Sequence, residues 1–127
     1  MFSLIFLFGC GEKEDTAEDG GAVEPMSFTQ IENEVLGLSC AFSSCHGAGA
    51  GALTLDGVND YERLVDVPSS QIEGEILIIP GDAAGSYLMK KFRGEASIVG
   101  DPMPPGAALD ADVLDGIAAW IDAGALQ

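Results

Sequence analysis

A small all-α domain with long loops is what this sequence predicts, and three observations predict it. Apolar residues recur at helical spacing in two well-separated stretches, 28–38 and 113–121. Turn-forming residues, 17 Gly and 6 Pro among 127, cut the chain between them into short pieces. No ladder of alternating apolar and polar runs, the pattern that builds a sheet, is visible.

The chain opens on MFSLIFLF, almost wholly apolar and followed by Gly9–Cys10–Gly11. A membrane-spanning helix needs about 20 apolar residues, so residues 1–9 are expected to be the apolar part of a secretion signal. Leu7–Phe8–Gly9–Cys10 resembles a bacterial lipobox, which implies cleavage before Cys10 and lipidation of that cysteine. Residues 10–26 then read as a disordered acidic tether, because they hold too little apolar surface to fold. The expectation is an exported lipoprotein, periplasmic or on the cell surface, held to the membrane by its lipid. Export places the remaining pair, Cys40 and Cys45, in an oxidising compartment. They are expected to be bound to each other, to a cofactor or to a metal.

The formal net charge is −16, and residues 26–127 hold 15 acidic side chains against Arg63, Lys90, Lys91 and Arg93. Nucleic acid and anionic membrane surfaces both need a basic patch and are poor partners for such a chain. The charge keeps the protein soluble, and it would also steer a partner with a basic surface toward it.

The folded domain is expected over residues 27–127. Ser27 and Gln30 form a capping box, with Met26 and Ile31 as its hydrophobic staple. Phe28, Ile31, Val35, Leu36 and Leu38 give a first helix over 28–38. Glycines in the run 47–51 break it and let the backbone pass close to something bulky. Leu53 and Leu55 flank Thr54 in a short extended piece, and Asp60–Leu64 makes one or two helical turns. Residues 76–80, ILIIP, read as a short buried extended segment closed by Pro80 and Gly81. Asp82 caps a helix over 83–92 with Tyr87, Leu88 and Phe92 inward. Lys90, Lys91 and Arg93 suit the dipole at its C-terminal end, and Gly94 stops it. Residues 94–108 are loop. Asp110 caps the last helix, over 111–123, with Leu109 stapled to Leu114. Val113, Leu114, Ile117, Trp120 and Ile121 share its inner face, and Gly124 closes it. Roughly 100 residues in short helices make a thin core, and domains of that kind often rely on a metal, a disulfide or a cofactor.

The stretch CAFSSCH at 40–46 holds the only two neighbouring cysteines and the only histidine of the chain. A covalent haem requires two thiols for its vinyl groups and an imidazole reaching the iron from the same side. His46, directly after Cys45, meets the last need. The iron then takes a second axial ligand, commonly a thioether or another imidazole. With no second histidine, methionine remains. Met89 lies in a helix, where core filling is the usual role. Met103 stands in DPMPP, a loop whose prolines fix the backbone and suit the aiming of one side chain. A structural zinc site wants four ligands and a blue-copper site two histidines, and the chain supplies neither set. A thioredoxin-type pair wants C-x-x-C beside a βαβ unit, and no catalytic constellation of acids is recognisable.

Four segments in order, CAFSSCHG at 40–47, PGDAAGSYLMKK at 80–91, MPP at 103–105 and LDGIAAWIDAGA at 114–125, resemble those of a c-type cytochrome domain. The resemblance is to divergent members carried by bacterial exported lipoproteins. It implies a cytochrome c-like helical fold, one covalent haem c and single-electron transfer without substrate turnover, so a redox protein and not an enzyme. Carried onto this chain, Cys40 and Cys45 are the thioether positions. His46 and Met103 are the axial ligands, and Trp120 packs on the N-terminal helix or the haem edge. Leu53, Ile79 and Tyr87 are expected in the apolar shell. The chain departs from the family pattern in having four residues between the cysteines where the pattern has two. The extra pair must bulge for both sulfurs to attach. Attachment through Cys45 alone, or a Cys40–Cys45 disulfide closing a haem-free binding or scaffold module, are the alternatives.

Overall fold

The computed structural model describes residues 21–48 and 52–127. The expectations for the signal, for Cys10 and for the first half of the tether fall outside these residues. Among them there are four helices and no strand: α1 (residues 28–39), α2 (Asp60–Leu64), α3 (Tyr87–Arg93) and α4 (Ala111–Asp122). The fold is small and mostly helical, with long connections, as the periodicity predicts.

Met26 anchors the start of α1: its N–H donates to the carbonyl of Gly116 at 3.1 Å and its side chain lies over that glycine. Ser27 and Gln30 make the predicted capping box, each side chain serving the other's backbone N–H. Helix α1 then differs from expectation in its winding. Ile31–Leu36 form a π-helical turn, which the spacing of apolar residues does not reveal. Ile31, Val35 and Leu36 all become buried through it.

Phe28 ties three helices together. Its ring meets Tyr61 of α2 edge-on at 5.2 Å and Trp120 of α4 at 5.7 Å. The polar tips of both partners are satisfied by the C-terminal tail: Tyr61 Oη donates to the Ala125 carbonyl and Trp120 Nε1 to the Leu126 carbonyl, each at 2.7 Å. Trp120 therefore packs on the N-terminal helix, one of its two expected places. The tail is positioned by a Schellman turn, in which Gly124 N–H donates to Ile121 and Ala125 N–H to Trp120. Gly124 takes φ 112°, a conformation that favours glycine there.

The segment 76–80 is a seam. Ile78 bridges Val65 and Ile76 bridges Pro68, so the loop after α2 folds back on it. Its carbonyls also receive the first N–H groups of α3, Tyr87 to Ile76 and Leu88 to Leu77, both at 2.9 Å. These contacts explain a correction. The helix expected over 83–92 starts only at Tyr87, with Ser86 as its N-cap, and Asp82 closes a turn by accepting from Gly85 N–H at 2.8 Å. The orphan donors at the start of α3 are met by the seam, so no capping side chain is needed. Ser86, wholly buried, locks the turn by donating to the Asp82 carbonyl and accepting from Ile79 N–H. Gly94, with φ 63°, ends α3 as expected. Asp110 is the N-cap residue of α4, but its carboxylate makes no capping bond. Ile117, Trp120 and Ile121 are buried on the inner face of α4, which packs against α3.

Candidate functional site

Apart from the Phe28, Tyr61 and Trp120 cluster, the fold leaves an open space. A cavity of about 530 Å³ lies between the loop after α1, the inner face of α3 and the loop between α3 and α4. That size is within the roughly 300–1,000 Å³ typical of cofactor and small-molecule sites. Cys40, Cys45, His46 and Met103, which sequence reasoning singled out, all lie on its wall. Leu53 and Tyr87 line it too. Ile79 does not: it belongs to the turn with Asp82, and Leu77, Leu88 and Phe92 form the apolar wall in its place.

The loop 40–47 shows how two extra residues are accommodated. Cys40 and Ala41 N–H both donate to the Leu36 carbonyl, ending α1. His46 N–H then donates to the Cys40 carbonyl at 3.1 Å, across six residues where a helical turn spans four. The surplus is pushed to the surface, and Phe42, Ser43 and Ser44 are exposed while Cys40, Cys45 and His46 stay at the cavity. Cys45 and Gly47 N–H both donate to the Phe42 carbonyl, closing the bulge on itself. A Cβ on Gly47 would run into the carbonyl oxygen of Ala41. The close approach expected of the glycine run thus occurs at Gly47, and its neighbour is the loop's own backbone. Residues 49–51 lie outside the described residues.

His46 Nδ1 is 2.7 Å from the carbonyl oxygen of Leu53. A carbonyl only accepts, so Nδ1 carries a proton, and in the neutral ring Nε2 is then the nitrogen with a lone pair for a Lewis acid. The same turn is held by Leu55 N–H donating to the His46 carbonyl at 3.0 Å. The imidazole is therefore fixed in tautomer and braced from both sides. Cys40 and Cys45 are free thiols in this structure. Burial pushes the Cys40 thiol up to about 11, with the charge of a Cys45 thiolate adding to the shift. Cys45 is half-buried, and its sulfur lies 3.8 Å from Ser44 Oγ.

Met103 reaches the cavity from the proline loop, and its N–H donates to the Lys91 carbonyl at 3.0 Å. Met89, expected as core filling, is fully buried in the hydrophobic cluster. Lys91 stands in the last turn of α3, as expected, and it is also buried and lines the cavity, a role the sequence reading did not assign. The signal was present: 87, 88, 91 and 92 fall on one face of a helix, and the other three residues are apolar. A polar rim from Ser69, Ser70 and Gln71, with Gln71 accepting from Tyr87 Oη at 3.1 Å, was not foreseen.

The donor set is two thiols, an imidazole with a free Nε2 and a thioether around one apolar cavity. Among the described residues no three His, Cys, Asp or Glu side chains converge to hold a metal ion by themselves. No family model matches the chain, and no curated protein or solved structure is significantly similar to it.

Proposed function

We propose that the cavity holds one covalently attached haem c, and that the protein is an exported, lipid-anchored, cytochrome c-like carrier of single electrons. The observation that carries this reading is the convergence of Cys40, Cys45, His46 and Met103 on one apolar cavity. The residues fit the group by their chemistry. Leu53 holds Nδ1–H of His46, which leaves Nε2 as the nitrogen that would bind the iron. Met103 supplies a soft thioether from a separate element. Each thiol adds across a vinyl double bond, sulfur to one carbon and hydrogen to the other, so attachment consumes no oxidant. The bulge at Phe42–Ser44 supports attachment at both cysteines, since it takes up the extra length without moving either from the cavity wall.

The haem when bound supplies a reversible one-electron couple. Leu53, Leu77, Leu88 and Phe92 give the cavity its apolar lining, and His46 and Met103 would hold the iron, an imidazole–thioether pair that would favour the reduced state. No substrate has to turn over. Exchange with a partner needs only a small transient contact, below about 1,200 Å², and the acidic surface suits a partner with a basic face.

The competing module, closed by a Cys40–Cys45 disulfide, rests on the two thiols sharing one short loop and sensing each other's charge. One experiment separates the two readings. The full chain is produced in an exporting host with haem-attachment machinery. Its visible spectrum and intact mass are taken before and after acid–acetone extraction. Absorbance that survives extraction, with the mass of one added haem, is the expected result. His46→Ala should then abolish the colour, and Met103→Ala should keep it with a shifted spectrum. A colourless protein two hydrogens lighter than its reduced form would end the electron-transfer reading and establish the disulfide module.

A further inference from the structure

Helix α3 carries two adjacent lysines with opposite surroundings. Lys90 makes an ion pair with Glu75 at 2.8 Å, partly in solvent. Lys91 is 6% exposed, and among the described residues its ammonium faces no carboxylate within ion-pair distance. It is held by carbonyls instead: Nζ donates to Val99 at 2.5 Å and to Asp101 at 2.9 Å. Between those two residues Gly100 takes φ 73°, with room for a Cβ bounded by the ammonium itself. The left-handed residue turns the chain so that the carbonyls on either side aim at one point. The backbone of Lys91 holds the same loop a second time, because its carbonyl accepts from Met103 N–H at 3.0 Å. Tyr87, one turn earlier, accepts from Val99 N–H at 3.1 Å. Side chain and main chain of one residue thus clasp the loop at 99, 101 and 103.

Burying an ammonium without a counter-charge is costly unless its hydrogen bonds are replaced. The dipole of α3 would be served equally by a solvated lysine. What the buried position adds is a fixed span between the face of α3 and the backbone of Met103. We propose that Lys91 is the positioning residue for Met103, clasping the 99–103 loop so that the thioether is presented at a set depth on the cavity wall. The proposal rests on the haem reading for its functional consequence, since a thioether held at a fixed reach is an axial ligand of fixed strength. The clasp itself does not depend on that reading.

The test uses the full chain with Lys91→Met, which keeps the apolar stem, and Lys91→Arg, which keeps the charge and donors. Amide hydrogen exchange is followed residue by residue, and the reduction potential is measured in the wild-type and Met103→Ala backgrounds. In Lys91→Met the amide of Met103 should exchange about tenfold faster or more, at least the scale of one of the two charge-assisted hydrogen bonds lost. Amides of α4 should be unchanged, and Lys91→Arg should recover part of the protection. In the haem-loaded protein Lys91→Met should shift the potential and weaken the spectral signature of the thioether ligand. The same substitution should add no further shift once Met103 is Ala. Unchanged exchange at Met103 would overturn the clasp. An equal shift of potential with and without Met103 would show that Lys91 acts directly on the site, and would overturn the positioning role. A wild-type protein that takes up no haem would overturn the haem reading alone, and the exchange result would still decide the clasp.

Discussion

The half of the molecule around Phe28 and the half around His46 solve the same problem in opposite ways. Phe28, Tyr61 and Trp120 fill their space with aromatic rings, and the two polar tips end on carbonyls of the tail. That half is complete as it stands. Around His46 the walls are equally well braced, by the Leu53 and Leu55 contacts, the seam at 76–80 and the Lys91 clasp. Yet they enclose a cavity of about 530 Å³ in a chain of 127 residues. Protein interiors are normally close-packed, so on the haem reading this apolar-walled space is room that a guest would fill. The guest's contribution to stability would then be carried by only one of the two halves.

The comparison can be broken at its strongest point. Trp120→Ala removes the ring that joins α4 to α1 and releases the tail at the Leu126 carbonyl. It should cost about 3–5 kcal/mol, read as a shift of the denaturation midpoint, in loaded and unloaded protein alike. A much smaller cost would mean that the aromatic half is not the self-sufficient one. The cavity half is probed by Gly47→Ala, whose new methyl meets the Ala41 carbonyl and must displace the bulge. The expected cost is about 1–3 kcal/mol in the unloaded protein. It should be accompanied by a loss of haem uptake that Trp120→Ala does not produce at matched stability. If Gly47→Ala changes stability but not uptake, the bulge is structural only and the cysteines reach their partners without it.

How far each half was legible in the sequence follows from what fixes it. The helices 28–39 and 111–122 were readable because their apolar faces repeat with the helical period, and the capping box at Ser27 and the stop at Gly124 are local chemistry. The start of α3 was misplaced because its donors are satisfied by carbonyls of Ile76 and Leu77, a tertiary contact that no neighbour of Asp82 announces. The π-turn in α1 leaves no mark on residue spacing. At the cavity, Cys40, Cys45, His46 and Met103 are legible in the sequence because reactive side chains stand out by type. Lys91 was missed because lysine near a helix end has an ordinary explanation, and only its register with Tyr87, Leu88 and Phe92 spoke against it. Ile79 was misassigned for the converse reason: one apolar residue in ILIIP looks like another until the seam decides which carbonyls and side chains face inward.

The smallest effect, and the one that sharpens the comparison most, is a pH dependence confined to the cavity half. The Cys40 thiol is pushed up to about 11 from an ordinary value of 9.0, first by burial and then by the neighbouring Cys45. A raised thiol pKa means that the fold prefers the neutral form. The associated stability is therefore fully present below pH 9, where the thiol is protonated in folded and unfolded chains alike. It is lost as the pH climbs from about 9 toward about 11, because the unfolded chain gives up its proton first. In unloaded, reduced protein the denaturation midpoint should fall across that interval, and Cys40→Ala should flatten the fall while lowering stability at neutral pH. Alkylation should follow exposure, with half-buried Cys45 reacting faster than buried Cys40. Once both sulfurs are thioethers neither can titrate, so the loaded protein should lose this slope altogether. A slope that persists in the loaded protein and disappears in loaded Cys40→Ala would show that the Cys40 thiol remains free, and would assign attachment to Cys45 alone.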